Sequence, residues 1–144
     1  MAPVNQHPGL DFKWTSTCSL PPMTIALDHI IIPAHDKRES AGFLAGLLGL
    51  PVGAPTGPFI PVVLGNGVTL DYADADGFHP HHCAFLIGDD EFDAAFARIR
   101  DAGIAFYADP HHTMVGEMNH RYGGRGLYFD DPTGHNMEIF TRGT

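Results

Sequence analysis

One pattern of residues occurs twice in this chain, and that repeat limits the possible folds more than any other feature. Placing His29 over His82 brings Asp36 onto Asp89 and Phe43 onto Phe96 without a gap. Gly49 and Gly103, which end the helical stretches, then differ by one insertion and precede Leu50 and Ile104. Near the end of each copy "TLDYA" lies over "NMEIF", so Asp71 corresponds to Glu138. A unit this short leaves a face uncovered and needs a neighbour to bury it, so the two copies are expected to pack together.

The local signals agree between the copies. "LDHIIIPAHD" predicts a strand from about Ile25 to Pro33, rich in β-branched residues. A helix is expected from Asp36 to Leu48, with Phe43, Leu44, Leu47 and Leu48 at helical spacing and Gly49 as the stop. "FIPVVLG" and "VTLDYA" read as strands joined by Asn66-Gly67, a strong hairpin signal. In the second copy "HHCAFLI" reads as a strand, and Asp89 as the cap of a helix from Asp90 to Ala102. Phe92, Phe96 and Ile99 form that helix's apolar face, and Gly103 closes it. "IAFYA", "GLYFDD" and "NMEIF" follow as strands.

The last of these contains a carboxylate, Glu138, between Met137 and Ile139. A carboxylate among core residues is costly unless a cation, a metal or a proton accompanies it. The repeat supplies the accompaniment. His29 and His82 hold equivalent places in the first strand of each copy, and Asp71 and Glu138 in the last. If the copies pair about a pseudo-twofold axis, these positions can converge, in a site built either within one chain or across two. Two imidazoles and a carboxylate with open positions suit Fe(II), and also Mn, Ni or Zn. The expected metal ligands are therefore His29, His82 and Glu138. His81 competes with His82, but Ala84 and the flanking strand mirror the first copy and favour His82. Asp71, one methylene shorter than Glu138, is either a fourth ligand or a residue that orients one or caps a turn. The expected fold class is α+β: two tandem βαβββ modules, about residues 24–75 and 80–142, forming an open curled mixed sheet around this metal site. The domain covers residues 24–144, after a Pro-rich aperiodic extension over residues 1–23.

Charge narrows the partners. With 17 acidic residues against 8 basic ones, the net charge of -9 speaks against nucleic acid and anionic membranes. No apolar run approaches the roughly 18 residues a membrane span needs. The first residues have no basic start and no apolar h-region, so no signal peptide is expected. Cys18 and Cys83 make no disulfide framework and fit a reducing cytoplasm. Cys83 alternates away from His82 and is expected to pack. His135, in the turn before the last strand, is expected to be structural. The long stretch "DPHHTMVGEMNHRYGGRG", residues 109–126, has the length of a functional loop. Its Arg121 and Tyr122, with His111, His112 and His120, are placed to line a pocket mouth and bind an anionic or phenolic small molecule.

"LDHIIIPAHD", the His-x-Ala-Phe core within "HHCAFLIGDDEFD", and "YFDDPTGHNMEIF" resemble the vicinal oxygen chelate superfamily. That superfamily includes glyoxalase I, bleomycin- and fosfomycin-resistance proteins and type I extradiol dioxygenases. The resemblance covers roughly residues 24–142. It implies paired βαβββ modules around a metal, usually in a homodimer, with ligands at His29, His82 and Glu138. The metal would act as Lewis acid and template. Glyoxalase-type members carry a glutamate where this chain has Asp71, which weakens that assignment. Ring-cleaving dioxygenases carry a Tyr ten residues before the ligating Glu, matched by Tyr128, and a His upstream of it, nearly matched by His120. The resemblance thus implies Tyr128 bonding a substrate oxygen and His120 moving a proton. The expected function is a divalent-metal enzyme, leaning to an Fe(II) extradiol dioxygenase. The alternatives are a glyoxalase-like lyase or isomerase and a metal-free, ligand-sequestering protein; the presence of the ligand trio argues against the last.

Overall fold

The structure, a computed structural model, describes residues 24–144. The expected extension over residues 1–23, Cys18 included, lies outside the described residues. The first module contains β1 (His29–Ala34), α1 (Lys37–Leu48), β2 (Ile60–Val63) and β3 (Thr69–Asp74). The second contains β4 (His82–Leu86), α2 (Asp89–Asp101), a 3-10 turn (Arg121–Gly123), β5 (Gly126–Asp130) and β6 (Asn136–Phe140). Each module forms a three-stranded sheet, ordered β1-β3-β2 and β4-β6-β5. In both, the outer pair β1–β3 or β4–β6 runs parallel and the hairpin pair runs antiparallel. The repeat in sequence is therefore a repeat in topology, and the fold is the α+β arrangement of two tandem modules.

Local chemistry sets most element ends. The Asp36 carboxylate accepts the Arg38 and Glu39 N–H groups at 2.9 and 3.1 Å, satisfying two free donors at the start of α1. Gly49 ends α1 in the left-handed conformation, φ 70°. From α2, Arg98 donates to the Leu47 carbonyl at 3.0 Å and so caps the same helix from the other module. The expected cap at Asp89 is corrected: Gly88 holds the N-cap position without a side-chain bond, and Asp89 is the first helical residue. Asp89, Asp90 and Glu91 instead set negative charge against the helix's positive end. Arg125 binds the Asp89 and Asp93 carboxylates at 3.2 and 2.6 Å.

Two strand expectations also shift. β1 begins at His29 rather than Ile25, because its partner β3 begins opposite His29. Ile25 and Leu27 are left exposed. "IAFYA" forms no strand among the described residues, and only Tyr107 pairs, bridging to Tyr128 and Val115. Tyr107 and Tyr128 exchange both backbone bonds at 2.8–2.9 Å. On either side, Phe106 O accepts Gly116 N–H and Ala108 N–H donates to Met114 O. The following loop folds back along the far edge of this segment, and its Asn119 exchanges both backbone bonds with Gly126 of β5.

The inner faces of both sheets and the helices share one core. It holds Ile32, Ile60, Leu70 and Tyr72 from the first module and Phe85, Leu127, Phe129, Met137 and Ile139 from the second. The Phe43 and Phe129 rings meet across the modules with centroids 6.1 Å apart. Cys83 is half-buried against this core, as expected. His135 is fully buried and structural. Its Nε2–H donates to the Pro33 carbonyl at 2.6 Å and its Nδ1 accepts the His81 N–H at 2.7 Å, tying β1 to the segment before β4. No helix among the described residues is long and apolar enough to cross a membrane.

Candidate functional site

Alternation along the strands sends one set of side chains into the core and the other onto an outer face of each sheet. In the second module the outer face carries His82 and Ala84 of β4, Glu138 of β6 and Tyr128 of β5, with Ala84 and Tyr128 in register beside Glu138. His82 Nε2 lies 3.2 Å from Glu138 Oε2. Its Nδ1 lies 3.0 Å from the Asn136 carbonyl, which only accepts, so Nδ1 carries the proton. Nε2 therefore directs a lone pair at a carboxylate oxygen, and only a second proton or a metal cation makes that contact favourable. Two lone pairs of this kind, on a histidine whose other nitrogen is fixed, are donors of the type a divalent ion takes, and His82 and Glu138 are the residues here that could supply them. Glu138 is accordingly neither solvated nor alone in its strand.

Tyr128 stands beside this pair. Its ring stacks on His82 at 5.9 Å, and its hydroxyl accepts a hydrogen bond from Arg121 Nη1 at 3.1 Å. Burial pushes the Tyr128 hydroxyl above the ordinary tyrosine range, and hydrogen bonding to Glu138 pushes it the same way against Arg121. Arg121 is thus held beside the Tyr128 hydroxyl. Tyr122 is exposed at φ 54°. His120 is not drawn in: its Nδ1–H donates to the Gly124 carbonyl at 3.2 Å, and no hydrogen bond joins it to Tyr128, His82 or Glu138.

The first module carries His29 and Asp71 at the equivalent strand positions. His29 donates Nδ1–H to Asp28 at 2.7 Å, leaving Nε2 free, and that carboxylate holds the imidazole above its ordinary value. Asp71, whose charge acts on His29 in the same direction, shares its face. His29 is not brought to His82 and Glu138 within the chain. Among the described residues, no group of three or more His, Cys, Asp or Glu side chains converges. The faces around both pairs are open, with Ile31 51%, Val63 50% and Leu86 64% exposed. An apolar cleft of about 620 Å³ beside β4 is lined by Leu48, Leu50, Leu64, Ala84 and Leu86 among others, and adjoins His82 and Glu138 only through Ala84, the register partner of Glu138.

The sequence reading passed over Asn136 and Asp109. Asn136 works through its backbone carbonyl, which no residue type announces. Asp109 accepts hydrogen bonds from Met114 N–H, Thr113 N–H and the Thr113 hydroxyl at 2.8, 2.9 and 2.7 Å. The spacing from Asp109 to Thr113 was the available signal for that turn.

The family model for the Glyoxalase/Bleomycin resistance protein/Dioxygenase superfamily matches residues 26–139. Among solved structures, Oxidase ChaP-H2 is 56% identical with a TM-score of 0.82, covering 84% of this chain and 96% of its own. Oxidase ChaP-H1 is 48% identical with a TM-score of 0.81, covering 83% and 98%. A lactoylglutathione lyase from Agrobacterium tumefaciens shares the fold at 18% identity and a TM-score of 0.61, covering 85% and 96%. No curated protein matches.

Proposed function

The chain belongs to the glyoxalase/bleomycin resistance protein/dioxygenase superfamily, and on that premise we propose that it is a divalent-metal-dependent oxidase or dioxygenase acting on a small molecule. The observation that carries this reading is the His82–Glu138 contact, with His82 Nδ1 fixed and both facing atoms offering lone pairs. The names of the two similar oxidases favour oxygen chemistry over the lyase alternative. In this reading His82 and Glu138 of one copy and His29 of a second copy hold the ion in a homodimer. The two uncovered half-sites and the apolar residues beside them support that assembly. When bound, the ion, Fe(II) before Mn(II), Ni(II) or Zn(II), supplies a Lewis acid and, as iron, a route to dioxygen chemistry.

The remaining roles belong to side chains. Arg121, which makes no ion pair among the described residues, holds an anionic or phenolic oxygen of the substrate beside Tyr128. Tyr128 keeps its proton at neutral pH and donates it as a hydrogen bond to that oxygen. The apolar cleft takes the carbon skeleton. His120 reaches a proton-transfer position only if its bond to Gly124 opens.

Elemental analysis of protein purified without chelators, paired with oxygen-electrode assays on a panel of catechols and larger phenols, tests the reading. Iron near one per chain and iron-dependent oxygen uptake are expected. Glu138→Gln should weaken metal binding by more than the roughly 10–100-fold that changes around a metal's ligands cost. Undiminished oxygen uptake by chelator-treated protein, or turnover needing no oxygen with zinc or nickel bound, would overturn it.

A further inference from the structure

The connection after α2 ends in a tight turn held by Asp109, which gathers in Thr113 and Met114. Within it His112 takes the left-handed conformation, φ 59°, which glycine would adopt at less cost. That backbone delivers the imidazole to a defined place. The ring lies flat on Tyr107, centroids 4.0 Å apart and planes 2° from parallel. Tyr107 is itself joined to Tyr128 by two backbone hydrogen bonds. His112 Nε2–H donates to Asn136 Oδ1 at 3.1 Å, while Nδ1 lies 3.8 Å from Asp130 Oδ2. The other end of the Asn136 amide donates to the Pro110 carbonyl at 3.2 Å.

Asn136 is the first residue of β6, where strand pairing ends, and its carbonyl is the group that fixes His82 Nδ1. We infer that His112 is a positioning residue: by clamping the Asn136 side chain it holds the carbonyl that aims His82 Nε2 at Glu138. The chain of contact runs from Tyr107 through His112 and Asn136 to His82, so a loop remote in sequence sets the direction of a metal ligand. Outer partners of this kind orient the ring and tune how tightly it binds a metal. The inference rests on the reading of His82 as a metal ligand, and its test separates the two.

Co(II) titrations of the full chain, followed by calorimetry and by visible absorption, decide it with three variants. His112→Phe keeps the stacking on Tyr107 and removes the donor, whereas His112→Gln keeps a donor and loses the stack. Asn136→Ala removes the clamped amide and keeps the carbonyl. His112→Phe and Asn136→Ala should each weaken Co(II) binding by about 10–100-fold and shift the visible bands. The double variant should lose no more than either alone, because the two residues act as one unit. His112→Gln should retain most of the affinity. Wild-type affinity and spectrum in His112→Phe, or an equal loss in His112→Gln, would overturn the positioning role. If His112→Phe fails to fold, Asn136→Ala carries the same expectation and the same refutation. Wild-type protein that takes up no Co(II) would overturn the metal reading, and this inference with it.

Discussion

Glu138 and Asp109 show how differently two carboxylates are accommodated. Glu138 sits on a half-buried strand face, 3.2 Å from an imidazole nitrogen and in register beside Tyr128. Asp109 stands at a loop, where partial burial opposes its charge but hydrogen bonds from Met114 and Thr113 outweigh that and lower its pKa from 3.8 to about 2. A depressed folded value means the ionised form favours the folded turn. That contribution is complete above about pH 4 and disappears as pH falls through 2. Hydrogen exchange at the Thr113 and Met114 amides should therefore show protection at pH 5 that declines toward pH 2. Asp109→Asn should already lack most of it at pH 5. Protection that is indifferent to both pH and substitution would refute the carboxylate's role.

Among the elements, α1 is the one whose two ends can be accounted for fully. Asp36 satisfies donors at its start, and at its end Gly49 turns left-handed beneath Arg98. A Cβ at Gly49 would lie 3.3 Å from Arg98 Nη1 as well as in a conformation L-residues resist. Gly49→Ala should thus cost about 1–2 kcal/mol in urea unfolding, from backbone strain plus disturbance of the cap. Because Arg98 belongs to α2, part of that cost is a loss of contact between the modules. An Arg98→Ala background should reduce the penalty, and an unchanged penalty would confine the effect to the backbone. β5 illustrates the opposite case, since its expected neighbour "IAFYA" contributes only Tyr107 to pairing.

For the whole molecule, the decisive property is that each sheet buries one face and leaves on the other the residues proposed above as ligands. Two copies related by a twofold axis would set the first module of one against the second module of the other, twice. This leads to a complementation test. His29→Ala and His82→Ala chains should each fail to hold metal alone. Mixed after denaturation and refolding, they should recover about a quarter of the wild-type metal, since half the dimers are mixed and each mixed dimer keeps one intact site of two. A site built within one chain would recover none.

Much of this was legible in the sequence because repetition and alternation are local properties. The match of His29 to His82 and Asp71 to Glu138 identified the module and the polar positions in its strands. Asp36 and Gly49 announced a helix by chemistry that acts over three or four residues. Glu138 and His82 were grouped in advance with His29, because the repeat sets His82 over His29 and Glu138 over Asp71. Other decisions depended on groups far apart in the chain. Asp89 yielded the cap position to Gly88 and pairs with the distant Arg125, and "IAFYA" kept only Tyr107 in pairing with β5. His135 was destined for structure by the Pro33 carbonyl, about a hundred residues away. His29 parted from His82 and Glu138 because burying the inner sheet faces in one shared core turns the two outer faces away from each other. Hydrophobic periodicity determines which face is buried; only packing in three dimensions determines what the other face meets.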